Sequence, residues 1–174
     1  MIKGAMLEFR LAPMSTVLRV MTWALFALPV LFVVATLAAP PPVNVILLGT
    51  AVFVVLLYAS VWLVGRPSGF VVDERTLRIV WPTRAREIAR ADVEGASIVS
   101  SDEFRREYGY GMRVGAGGLW GGFGLLKTGR TTFSMWVSRT DQFVIVRLRG
   151  ARPLLITPED PERFVRALLE KPNV

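Results

Sequence analysis

From Val20 to Gly65 the chain carries no charged side chain, and beyond that block apolar residues come in short runs broken by turn formers. At a rise of about 1.5 Å per residue, about 20 apolar residues cross a hydrocarbon core of about 30 Å, so the block holds two spans and a turn. The first span is predicted over residues 20–39, with Pro29 midway as a kink that membrane helices tolerate. Pro40, Pro41 and Pro42 end it, since proline cannot continue the hydrogen-bond ladder and disfavours helical geometry in the residue before it. The second span is predicted over 43–64, with Asn44 at its mouth and Tyr58 and Trp62 near its far end, where an aromatic belt would lie. A connection this short makes the two helices antiparallel neighbours. A signal peptide cleaved near Ala38 or Ala39 is the competing reading of the first stretch, but the apolar run exceeds the about 7–15 residues of a signal core.

After Arg66 the pattern changes to β-like runs. Residues 69–81 predict two strands around a turn at 73–76, and Leu77, Ile79 and Trp81 alternate against Arg78 and Val80, the period of a half-buried strand. Further strands are predicted at 87–90, 93–100, 131–138, 142–148 and 153–156, with residues 139–141 as a turn and 101–107 as a charged loop. The end reads as a helix. Thr157, Pro158, Glu159 and Asp160 supply an N-cap, a first-turn proline and early acids; Phe164, Val165, Leu168 and Leu169 form its apolar stripe, and Lys171 before Pro172 closes it. The sum is about seven strands and one amphipathic helix, a β-sandwich or barrel whose end the helix covers.

Composition sharpens this picture. The 174 residues are 52% hydrophobic, the formal charge is +7, and there is neither cysteine nor histidine. That removes disulfides, thiolate nucleophiles, sulfur-ligated metals, the commonest general base and the commonest metal ligand. Lys3, Arg10 and Arg19 precede the first span and Arg66 follows the second, whereas the proline turn is uncharged. Basic flanks mark the cytoplasmic side, so both termini are expected in the cytoplasm, on a multi-pass protein of the plasma membrane (the cell inner membrane). The expected organisation is a cytoplasmic segment over 1–19, a transmembrane hairpin over 20–65 and a cytoplasmic β domain over 66–174.

Two helices, a small β domain, the stretch Ile88-Ala-Arg-Ala-Asp92-Val93, the glycine-rich run from Gly117 to Gly124 and a closing segment from Ile156 to Phe164 together resemble small bacterial membrane proteins with a pleckstrin-homology-like (PH-like) domain. The resemblance covers roughly residues 68–171. It implies two nearly orthogonal sheets capped by a C-terminal helix, and little about activity, because that fold hosts many binding roles. The lysine- and arginine-rich signature of the phosphoinositide-binding relatives is represented here only by Arg75 and Arg78, so binding of inositol lipids is not carried over.

Residues 109–130 hold the densest glycine cluster, yet they lack both the Gly-Lys-Ser/Thr of a phosphate loop and the spacing of a dinucleotide fingerprint. Two readings stay open for this run. Trp120, Phe123, Leu125 and Leu126 could touch the membrane interface or a partner, or the run could be a β-hairpin whose glycines allow close packing and whose aromatics enter the core. A split is expected, with Phe123 buried and Trp120 more exposed. Arg75, Arg78, Arg84, Arg86 and Arg90 crowd one stretch, and from Arg66 onward 18 basic side chains face 13 acidic ones. They suit either anionic lipid heads or an ordinary solvated face. The acid pairs Asp73-Glu74, Asp102-Glu103 and Glu159-Asp160 are sequence neighbours that would diverge on a strand, poor spacing for acid–base work.

The expected function is therefore a non-enzymatic, membrane-anchored interaction module, without cofactor or metal, presenting a PH-like domain to a cytoplasmic protein or to the inner leaflet. An accessory subunit that contacts a membrane complex through its hairpin is the alternative. The expected partners are the bilayer and a protein of unknown identity, or a second copy of the chain; nucleic acid is not among them.

Overall fold

The computed structural model describes residues 6–170; Lys3, counted among the basic flanks, and Lys171 and Pro172, expected to close the last helix, lie outside the described residues. Helix α1 runs Thr16–Thr36, and helix α2, Val43–Ser60, continues as a π-helical turn over Val61–Gly65. Both are long and apolar enough to cross a membrane. Their side chains point mostly outward: only Leu18, Thr22 and Pro29 in α1 and Ala51 in α2 are buried. Pro29 has no N–H to offer the carbonyl one turn before it, that of Leu25. Tyr58 makes good the loss, donating its hydroxyl to Leu25 O at 2.8 Å across the hairpin. An orphaned carbonyl in hydrocarbon costs several kcal/mol, roughly, so this bond fixes how α1 and α2 face each other.

The β domain is two sheets. The first is antiparallel, in the order β1 (Leu7–Arg10), β2 (Gly69–Val72), β3 (Thr76–Val80), β4 (Ala85–Ala89). The second contains β5 (Val93–Ser100), β6 (Met112–Gly117), β7 (Gly122–Lys127), β8 (Thr132–Val137), β9 (Gln142–Leu148) and β10 (Leu154–Ile156), in the order β5-β9-β10-β8-β7-β6. Only β10 and β8 pair in parallel. The sheets do not close into a barrel. Between them lies a core that includes Phe70, Leu77, Ile79, Val144, Val146, Leu154 and Ile156, sealed at one end by helix α4 (Pro161–Leu169) through Phe164 and Leu168. A second cluster on the other face of the larger sheet packs Phe133, Met135, Ile145 and Leu155 under helix α3 (Ser101–Tyr108) through Phe104.

Four expectations need correction. There are ten strands rather than about seven, because the glycine-rich run folds as the β6–β7 pair and because β1 precedes the first span. Leu7, Phe9 and Leu11 alternate with Glu8 and Arg10, and Phe9 and Leu11 enter the core. That period of two is visible in the sequence but only five residues long. The charged loop at 101–107 is instead α3, started by a capping box in which Ser100 Oγ accepts from Glu103 N and Glu103 Oε2 accepts from Ser100 N. The last helix is capped by Asp160, which accepts from Arg163 N at 2.9 Å with Pro161 at the first position, not by Thr157. Thr157 is spent elsewhere. Its Oγ1 accepts from Ser138 N at 2.9 Å, while Ser138 Oγ donates to Ala12 O at 2.5 Å, a buried network that stitches the segment before α1 to the domain. The buried stripe of α4 is accordingly Pro161, Phe164, Ala167 and Leu168, and Leu169 is 48% exposed.

Candidate functional site

Three connections tie the hairpin to the β domain, and where they meet is the most elaborate polar and aromatic arrangement outside the core. The first is the segment from β1 to α1, in which Ser15 N donates to Ser138 O at 3.2 Å. The second is direct, since α2 passes through Arg66 into β2 three residues later. The third is the turn between β6 and β7, residues 118–121.

That turn explains its own glycines. Gly118 has φ +87 and Gly121 has φ +150, and a Cβ on Gly121 would lie 2.2 Å from Val137 O. A Cβ on Gly118 would come within 3.1 Å of Met21 on α1. Glycine thus lets the turn sit against both the neighbouring strand and the helix. Trp120 holds φ +57, a conformation rare for a bulky residue. What holds it there is contact with the hairpin. Its N–H donates to Thr22 Oγ1 at 3.0 Å, and its ring meets Phe26 edge-on at 5.6 Å and Trp62 at 4.8 Å. The Thr22 hydroxyl hydrogen faces both Leu18 O, at 2.8 Å, and Gly118 O, at 3.0 Å. Phe26 in turn packs on Tyr58 and Trp23, so five aromatic rings line the end of the hairpin that meets the domain. Phe26 lies about 9 Å along α1 from Val20, where the charge-free block begins. The turn therefore reaches below the boundary of the apolar segment.

At the end of α2, donors from the turn between β3 and β4 cover the last carbonyls. Trp81 Nε1 donates to Gly65 O at 3.2 Å, Thr83 Oγ1 to Leu63 O at 3.1 Å and Arg84 Nη2 to Val64 O at 3.3 Å. Helix ends leave such carbonyls unpaired, and here a strand turn serves as the cap. The guanidinium of Arg66 lies 4.5 Å from the centroid of Trp62, and that of Arg84 lies 4.9 Å from that of Trp81. Partial burial pushes the Arg66 guanidinium below its ordinary range.

The residues singled out from the sequence scatter. Trp120 is half-buried in the junction, and Phe123, on β7, is 2% exposed in the core between the sheets. Leu125 and Leu126 are half-buried on β7, and Leu126 packs on the second cluster beside Phe104. Of the arginines, only Arg84 reaches the junction. Arg75 is exposed in the turn between β2 and β3, and Arg86 is exposed on β4. Arg78 Nε lies 2.9 Å from Glu87 Oε1 on the neighbouring strand, an ion pair not aligned as a hydrogen bond. Arg90 caps the far end of α4, donating to the carbonyls of Ala167 and Leu168 at 2.9 Å each and to that of Glu170. Sequence reasoning missed Thr22, Phe26 and Arg66 as parts of one site. A lone hydroxyl within an apolar span was the available signal for Thr22.

Among the described residues, no group of three or more carboxylate, histidine or cysteine side chains could hold a metal ion. In the turn between β8 and β9, hydrogen bonding from the Arg139 guanidinium pushes the pKa of the Asp141 carboxyl down to about 2. What the junction offers is an aromatic shelf, a rigid turn and two guanidinium groups. A family model described as "Bacterial PH domain" matches residues 68–171. Among curated proteins, none matches the chain.

Proposed function

Since this chain belongs to the bacterial PH domain family, whose members are generally non-catalytic interaction modules, we propose that it presents its PH-like domain to a cytoplasmic protein partner from a fixed seat on the inner membrane. The observation that carries this reading is the junction itself. A domain meant only to hang from an anchor needs one linker, whereas this one is held by the β1 segment, by the α2–β2 connection and by the Trp120 turn. Pairing of β1 with β2 brings the two outer ends of the hairpin together, which, with the basic flanks, supports placing both on one side of the bilayer.

Held this way, the domain leaves the outer edge of β6 unpaired, with Tyr110, Met112 and Val114 exposed along it. Arg113 is the one charge on this edge, so an open edge with three exposed apolar side chains suits a protein that adds to it. The second reading, an accessory subunit that binds through the hairpin, draws on a groove of about 430 Å³ between α1 and α2, lined by Pro29, Val33, Leu48, Ala51, Val52 and Val55.

Two experiments test these readings. Reporters fused before Lys3 and after Val174 should both report a cytoplasmic location, while a tag within residues 40–42 should be reached from outside; a protected tag would overturn the orientation. Photo-crosslinkers at Met112 and at Val52, analysed by mass spectrometry in native membranes, should capture a protein at Met112 and lipid at Val52. Protein captured at Val52 alone would replace the first reading with the second, and the same chain captured at either position would identify a homo-oligomer.

A further inference from the structure

We propose that Arg66 and Arg84 form a clamp for the phosphate of an anionic phospholipid, at the end of α2. The inference rests on the domain being seated against the bilayer, and deepens it by assigning a ligand to particular atoms. Neither guanidinium has a carboxylate partner among the described residues, where the ion pairs are Arg78–Glu87, Arg139–Asp141 and Arg149–Glu94. Arg66 Nε is buried and has no acceptor. A donor withdrawn from water without a partner is costly, and a charged one more so, so an anion brought to the open side of this guanidinium is favoured.

The surroundings favour an anion there. A helix C-terminus ordinarily repels negative charge through its unpaired carbonyls. Those of Leu63, Val64 and Gly65 are already covered by Thr83, Arg84 and Trp81. Arg84 spends one N–H on Val64 O, its other N–H groups meet no acceptor among the described residues, and a planar fork suits phosphate oxygens. Each guanidinium lies over an indole ring, Arg66 over Trp62 and Arg84 over Trp81, which narrows the side-chain freedom to be lost on binding. The depth is also right. Arg66 is the first charge after the apolar block, and the Trp62 ring beneath it is 40% exposed, as expected of a residue at the headgroup boundary.

The test is native mass spectrometry of the delipidated full chain in detergent, titrated with phosphatidylglycerol and, separately, with phosphatidylcholine. The parent should retain phosphatidylglycerol with a preference of about tenfold or more, the equivalent of one strong charge-assisted contact. R66Q/R84Q should retain the two lipids about equally, whereas R75Q, which alters an exposed arginine in the turn between β2 and β3, should behave as the parent. No preference in the parent, an undiminished preference in R66Q/R84Q, or loss of preference in R75Q would each overturn the clamp. Should R66Q/R84Q lose its near-ultraviolet circular dichroism, the parent decides: its Arg66 Nε–H resonance should move when phosphatidylglycerol replaces phosphatidylcholine in nanodiscs, and an unmoved resonance overturns the proposal. A lipid preference found together with an inverted topology would sink the proposed function and leave the clamp standing.

Discussion

Phe164→Asp should abolish cooperative thermal unfolding of the full chain in detergent. Phe164 is fully buried and meets Phe9 edge-on at 5.2 Å and Phe70 at 5.8 Å, at the point where α4 closes the space between the sheets. Truncating a buried phenylalanine costs about 3–5 kcal/mol, and the aspartate adds either an unpaired buried charge or the cost of protonating it. Domains are stable by only about 5–15 kcal/mol, so the change consumes most of the margin. Arg166→Ala, on the exposed face of the same helix, should leave the melting curve within about 0.5 kcal/mol of the parent. A parental melt for Phe164→Asp would show that α4 does not cap the core. The full chain is the right material. A fragment beginning at Arg66 lacks β1, and with it the Phe9 ring that Phe164 packs against.

The second large effect separates two aromatics three residues apart. Phe123→Ser removes a ring that is 2% exposed between the sheets and should cost about 3–5 kcal/mol, seen as a large fall in the unfolding midpoint. Trp120→Ser removes the edge-on contacts with Phe26 and Trp62, each worth about 0.5–1.5 kcal/mol beyond area burial. Its midpoint should fall less. Its distinctive result is a loosened junction, read as a broadened distance distribution between spin labels on α2 and on β7. Equal, large losses of stability with an unchanged distribution would make Trp120 a plain core residue and remove the third connection from the argument.

How much of this was legible depended on the strength of each local pattern. The hairpin was plain because Val20 to Gly65 carries no charge and a run of three prolines divides it, and β3 was plain because Leu77, Ile79 and Trp81 alternate cleanly. α3 carried its signal in Ser100 and Glu103, but with Phe104 its single buried residue it has almost no apolar stripe to weigh against its charges. β1 alternates over too few residues to stand out beside a span. The junction was hidden for a different reason. Thr22 and Trp120 are 98 positions apart, and no local rule brings a hydroxyl in one apolar helix to a backbone N–H in a distant turn. The arginines crowded in one stretch of sequence are dispersed in the fold to two turns, two strand faces and a helix cap.

β1 also sets an order of events during synthesis. Residues 7–10 leave the ribosome before either span, while their partners, residues 69–72, follow both. At about 5–20 residues per second the first strand waits roughly 3–12 s for its mate, with Phe9 and Leu11 exposed meanwhile. In the proposed topology, the smaller sheet can be completed only when the hairpin has gone in and come back, leaving its two ends on one face of the bilayer. A chain whose hairpin stalls halfway keeps a bare strand edge and an open core, the features by which proteases and chaperones recognise unfinished proteins. In that topology residues 7–10 make completion of the domain a report on correct membrane insertion.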